Sequence, residues 1–134
     1  MSLSEEERDI VVKHRLNRAN ETLEETRDLV VNNRWHGAAN RLYYACYYAV
    51  TALLTEHGHP ARTHSGAIGL LGEHFIRTGI INKEYNKLYQ KLFDLRLGGD
   101  YSDWIVIEEE DILPLLDPAE RLIETIENLI NDSK

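Results

Sequence analysis

Near the start of the chain Val12, Leu16, Ala19, Leu23, Thr26 and Val30 recur at alternating four- and three-residue spacing, with mostly Glu, Arg and Asn between them. That period lines one face of an α-helix and leaves the other to solvent. Ser4-Glu5-Glu6-Glu7 supplies the start, because the Ser hydroxyl and the Glu three residues on satisfy helix donors that have no internal partner. The pattern predicts an amphipathic helix over about 4–31, ended by the turn Asn32-Asn33.

The segment Trp35 to Glu56 is apolar on most sides: Trp35, Ala38, Ala39, Leu42, Tyr43, Ala45, Cys46, Ala49, Val50, Leu53 and Leu54 leave little polar surface. Such a helix belongs at the centre of its bundle. Its exceptions, Asn40, Arg41, Tyr44, Tyr47, Tyr48 and Thr51, concentrate on one side, and Gly58-His59-Pro60 stops it. A short third helix, capped by Thr63 or Ser65, is predicted to about Ile76, with Ile68, Leu71 and Phe75 inward and Gly79 as its breaker. A fourth runs from about Asn82 to Leu97, its inward stripe Tyr85, Leu88, Leu92 and Leu95, with Gly98-Gly99 expected to close it. Ile112, Leu115, Ala119, Leu122, Ile126 and Leu129 mark the last. There Pro114 and Pro118, with Asp117 read as an N-cap, predict a short turn near 109–116 and a separate helix over 118–131. Trp104-Ile105-Val106-Ile107 is too short and solitary for a strand. The fold class is therefore all-α, an up-and-down bundle of four main helices plus a short extra one, and 134 residues fit a single domain.

Composition narrows the function. No stretch approaches the roughly 20 uncharged apolar residues that span a bilayer. The acidic start lacks the features of a secretory signal, and the lone Cys46 permits no intrachain disulfide, so a cytoplasmic protein is expected. The net charge of -8 argues against a surface that coats nucleic acid. Its distribution says more. Residues 1–31 carry -3, residues 32–99 carry +4 with five of the six histidines, and residues 100–134 carry -9. A local anion site in the basic middle, drawing on Arg41, Arg62, His64 and Arg96, is compatible with that layout, as is an ordinary solvated surface.

Single residues each admit a structural reading. Arg96 near a predicted helix end suits the helix dipole, a stabilisation of about 0.3–1 kcal/mol. Asn40 and Tyr44, one turn apart, suit either a buried hydrogen-bonded pair or a ligand contact. His64 suits a cap as well as acid–base work. Glu56-His57-Gly58-His59 lacks a third ligand at metal spacing, and Glu108-Glu109-Glu110-Asp111 sits where it would offset a helix dipole or dock a basic partner.

Three stretches together carry a family likeness: Asn40-Arg41-Leu42-Tyr43-Tyr44-Ala45-Cys46-Tyr47-Tyr48-Ala49, then Arg62-Thr63-His64-Ser65-Gly66, then Arg96 followed by Asp100-Tyr101. In this order the chain resembles, over about residues 8–130, the small stand-alone HEPN (higher eukaryotes and prokaryotes nucleotide-binding) proteins of bacteria and archaea. The resemblance implies a homodimer with an RNA or nucleotide site at the dimer cleft and no cofactor or metal. It also implies a minimal nucleotidyltransferase as partner in a toxin–antitoxin-like module. Many members are metal-independent RNases whose mark is an Arg followed, after four to six residues, by a His. Counted from Arg96, those positions hold Tyr101, Ser102 and Asp103. A Tyr, with a pKa near ~10, is a poor general base at neutral pH. The carry-over names Arg96 and Tyr101 as the catalytic pair and Asn40, Arg41, Tyr44, His64 and Asp100 as ligand contacts. An RNase with an altered centre and a non-catalytic nucleotide- or partner-binding module both remain open.

Overall fold

A computed structural model describes residues 3–133. It is all-helical, with no strand among the described residues: α1 is Glu5–Val31, α2 Trp35–Glu56, α3 His64–Leu71, α4 Lys83–Tyr101 and α5 Glu109–Asp132, with a π-helical turn at Gly72–Ile76 continuing α3. Ser4 and Glu7 exchange the reciprocal cap that starts α1, with Glu7 N donating to Ser4 Oγ at 3.1 Å and Ser4 N to Glu7 Oε1 at 3.0 Å. Asn33 turns the chain into α2 at a φ of 56°, a conformation in which Asn is tolerated better than most residues. Thr63, not Ser65, caps α3, accepting from Gly66 N at 2.9 Å.

The central position expected of α2 is what the packing shows. Residues 38, 39, 42, 43, 45, 46, 49, 50 and 51–55 of α2 are buried. Helices α1, α3, α4 and α5 all pack on it, and its alanines and Cys46 are the small side chains that let them approach. The main core joins Val12, Ala19 and Leu23 of α1, the α2 residues, Leu71, Phe75, Leu88, Tyr89 and Leu92, and Leu122, Ile123 and Ile126 of α5. A smaller cluster at the start of α2 gathers Ala38, Ala39, Ile107 and Ile112.

Two expectations about helix ends are corrected. Helix α4 does not stop at Gly98-Gly99 but continues to Tyr101. Both glycines are there for space: a Cβ on Gly98 would meet Ile105 Cδ1 at 2.6 Å, and one on Gly99 would meet Ile107 Cδ1 at 2.6 Å. The segment after α4 folds back across this bare helix surface, so missing side chains, rather than a left-handed cap, explain the pair. Helix α5 is unbroken from Glu109, and Pro114 and Pro118 lie inside it, so Asp117 is not a cap. Ile112, Leu115, Ala119, Leu122, Ile123 and Ile126 form a buried face whose burial outweighs the two lost backbone hydrogen bonds. The acidic run begins this helix, with Glu108 N donating to Asp111 Oδ2 at 2.9 Å.

Candidate functional site

Helix α2 carries Asn40, Arg41 and Tyr44 on the side that faces α4, where Arg96 and Asp100 stand one turn apart. Their polar groups close a ring. Arg41 donates to Asn40 Oδ1 from Nε at 3.1 Å and from Nη2 at 2.8 Å. Asn40 Nδ2 donates to Asp100 Oδ2 at 2.9 Å. Asp100 Oδ2 lies 3.9 Å from Arg96 Nη1, which donates to Tyr44 Oη at 3.0 Å. Arg41 returns to Tyr44 by placing its guanidinium 5.1 Å from the ring centroid, and its Nη1 is 3.8 Å from Glu25 Oε1. Asn40 thus uses its oxygen for a cation and its nitrogen for an anion.

Arg96 is not a helix-end cation. It is only 7% exposed and sits more than a turn inside α4, so the dipole reading fails. Its Cζ lies 5.2 Å from the Tyr43 ring, 5.4 Å from Tyr44, 5.9 Å from Phe93 and 5.9 Å from Tyr101. Aromatic faces attract a cation by about 0.5–2 kcal/mol each, more as water is excluded. Its Nε is buried with no acceptor in reach. Tyr101 covers the guanidinium from outside with its ring and is 76% exposed.

His64, the first residue of α3, joins the cluster from a third direction. Its Nδ1 is 2.6 Å from Tyr43 Oη, and its ring packs tilted against Tyr47 at 4.5 Å and edge-to-face with Tyr44 at 5.8 Å. Burial raises the Tyr43 phenol well above its ordinary pKa, so it keeps its proton. Burial, and then the Arg96 charge, lower that of His64. With the phenol as donor to Nδ1, the neutral His64 carries its proton on Nε2; with the other tautomer, Nδ1–H donates to the phenol oxygen. Tyr43 was read from the sequence as core. Its apolar neighbours gave no sign that its hydroxyl orients His64.

The structure therefore brings Asn40, Arg41, Tyr44, His64, Arg96, Asp100 and the Tyr101 ring together, whereas Arg62 stands exposed in the α2–α3 connection. Among the described residues no three His, Cys, Asp or Glu side chains converge as a metal site. Glu56 and His59 have Glu-x-x-His spacing, but His59 stacks on His74 at 3.8 Å while His57 packs against Phe75 at 5.1 Å. Among the described residues no helix is long and apolar enough to cross a membrane.

This arrangement, a buried Arg tied to a Tyr-rich central helix, sits within a stretch that the HEPN domain family model matches over residues 12–129. The chain belongs to the HEPN domain family. A protein of Thermotoga maritima named UPF0332 protein is 38% identical to this HEPN domain over 128 residues, covering 96% of this chain and 97% of that one. A Methanocaldococcus jannaschii relative whose name is putative toxin is 32% identical over 92 residues, 69% of each chain. The crystal structure of TT1696 from Thermus thermophilus shares the fold with a TM-score of 0.75 at 16% identity, over 87% of this chain and 96% of that one.

Proposed function

We propose that this HEPN domain is the RNA- or nucleotide-directed member of a toxin–antitoxin or defence-type module, and that the Arg96 cluster is where it meets phosphate. The observation that carries the reading is the convergence of Arg41, Arg96 and His64 from three helices, in a chain that is acidic overall, around a guanidinium whose Nε has no acceptor. Guanidinium groups match phosphate oxygens in charge and in fork geometry. Asp100 holds the cluster in register until an anion displaces it, and the neutral His64, in the tautomer that accepts from Tyr43 at Nδ1, offers an Nε2–H donor beside it. Family membership and the relatives named as toxins support the biological setting.

The site is proposed to lie at the cleft of a homodimer. The apolar sides of α2 are filled within the chain, so surplus apolar surface from that helix is not what supports pairing. The surface that does is the end of α4 and the segment after it, where Tyr101 is 76%, Trp104 93% and Val106 71% exposed beside the cluster. A minimal nucleotidyltransferase is the proposed module partner, on the strength of the family resemblance.

A second reading, metal-independent cleavage of RNA, is favoured by the contact that holds His64 to Tyr43, and would use His64 in place of the histidine missing after Arg96. The deciding experiment compares wild type, Arg96→Gln, Tyr101→Phe and His64→Asn for nucleotide and RNA binding, for cleavage in excess chelator, and for mass by light scattering. Binding lost in Arg96→Gln supports the site. Cleavage by wild type that Tyr101→Phe retains and His64→Asn loses favours the second reading. Full binding by a folded Arg96→Gln refutes the site, and a 15.5 kDa species throughout the micromolar range refutes the dimer.

A further inference from the structure

Helix α1 contains one stretch unlike the rest of its acidic surroundings: Lys13-His14-Arg15-Leu16-Asn17-Arg18 holds three cations and a histidine with no carboxylate. His14, Arg15 and Arg18 fall on one helix face, and that face meets Tyr47 and Tyr48 of α2. Together the five line a groove of about 370 Å³. Arg18 Cζ lies 5.2 Å from the centroid of the Tyr48 ring, and its Nη1 also pairs with Glu21 Oε2 at 3.2 Å. Tyr47 and Tyr48 are half-buried, so each is fixed by the bundle on one side and open on the other.

The groove is continuous with the Arg96 cluster. Tyr47 packs against His64 at 4.5 Å, Tyr48 lies 6.0 Å from Tyr44, and Tyr44 accepts from Arg96. A strip of rings with a cation at each end thus leads from the buried guanidinium to the outer face of α1. We infer that this strip is a track for single-stranded RNA: bases stack on Tyr47 and Tyr48, while Arg15, Arg18 and His14 take the phosphates that run on from the one at Arg96. Flat rings beside mobile cations suit an unpaired strand, whose bases are free to stack, and not a duplex, whose bases already are. This deepens the reading of the Arg96 cluster as a phosphate site and rests on it.

The test uses fluorescent oligouridylates, a dinucleotide and a dodecanucleotide, with wild type, Arg15→Gln/Arg18→Gln, Tyr48→Leu and Arg96→Gln, each checked for folding by thermal melting. Wild type is expected to bind the longer strand more tightly. The double variant keeps its dinucleotide affinity, and its salt slope for the dodecanucleotide falls by about 1.4, since each phosphate contact on a single strand contributes about 0.7. Tyr48→Leu lowers dodecanucleotide affinity about tenfold through lost stacking. If both groove variants bind the long strand as wild type does while Arg96→Gln loses the dinucleotide, the track is refuted and the cluster stands. If wild type binds neither strand, the cluster reading fails and takes the track with it. Equal competition by a duplex or by polyglutamate also overturns the track, since the groove would then sense charge alone.

Discussion

Arg96 was expected from the sequence to be cheap to remove, about 1 kcal/mol or less, as a dipole-stabilised cation at a helix end. The structure raises that figure. Arg96→Ala breaks a charge-assisted hydrogen bond to Tyr44 Oη in a site only 7% exposed, a loss of about 1.5–3 kcal/mol. It also removes a side chain packed against four rings and leaves Asp100 with Asn40 as its remaining partner in the ring. A total near 3 kcal/mol follows, and for a chain of this size that lowers Tm by about 10 °C. Urea denaturation of wild type, Arg96→Ala, Tyr44→Phe and the double variant isolates the bond itself. The coupling energy should be about 1–2 kcal/mol, reduced from the fully buried value because Tyr44 is half-buried. A coupling near zero, with Arg96→Ala costing less than about 1 kcal/mol, would mean that the guanidinium is held loosely and that the closed ring is not a real unit.

Gly99→Ala should destabilise by about 1–3 kcal/mol, because Ile107 is 3% exposed and has nowhere to retreat. Gly98→Ala should be near neutral, since Ile105 is 43% exposed and its tip can swing away; chemical denaturation of the two separates them. His64 has a folded pKa below its ordinary value, so the unfolded chain binds the proton more readily, and stability should fall as pH drops through about 6.5. Melting from pH 8 to 5 should show that slope in wild type and a shallower one in His64→Asn; identical slopes would contradict it. Pro114→Ala should raise Tm, by restoring a hydrogen bond to the carbonyl of Glu110 on the exposed side of α5, where the ring packs against little. An unchanged or lower Tm would show that the proline's restraint on the unfolded chain matters more.

Periodicity was enough to place all five helices to within a residue or two at one end or both, because their inward positions recur with the helical period and tertiary packing agrees with it. It failed where a local signal competed with a distant one. Gly98-Gly99 looks like a stop only until Ile105 and Ile107 are seen lying across it, and those contacts involve residues whose short apolar run carries no period. Pro114 and Pro118 argue locally for a break, but the apolar face of α5 spans them. The site was legible through family likeness more than through chemistry: nothing in the spacing of Asn40, His64 and Asp100 says that they meet. The burial of Arg96 was hidden for a related reason, since the rings that enclose it lie on other helices or on either side of it along α4. His14, Arg15 and Arg18 give no signal in the sequence because they sit in a region whose summed charge is negative.

The short turn at Asn33 bears on the order in which this molecule comes together. It joins α1 and α2 with almost no loop to close, so the most extensive pairing in the bundle is also the most local, and local contacts form fast. The bonds that assemble the cluster, Arg96 to Tyr44 and Asn40 to Asp100, instead close spans of 52 and 60 residues. During synthesis the α1–α2 hairpin has its partners long before α4 emerges. A nascent chain can therefore be largely helical and still lack its guanidinium centre, which is completed only after α4 has been made.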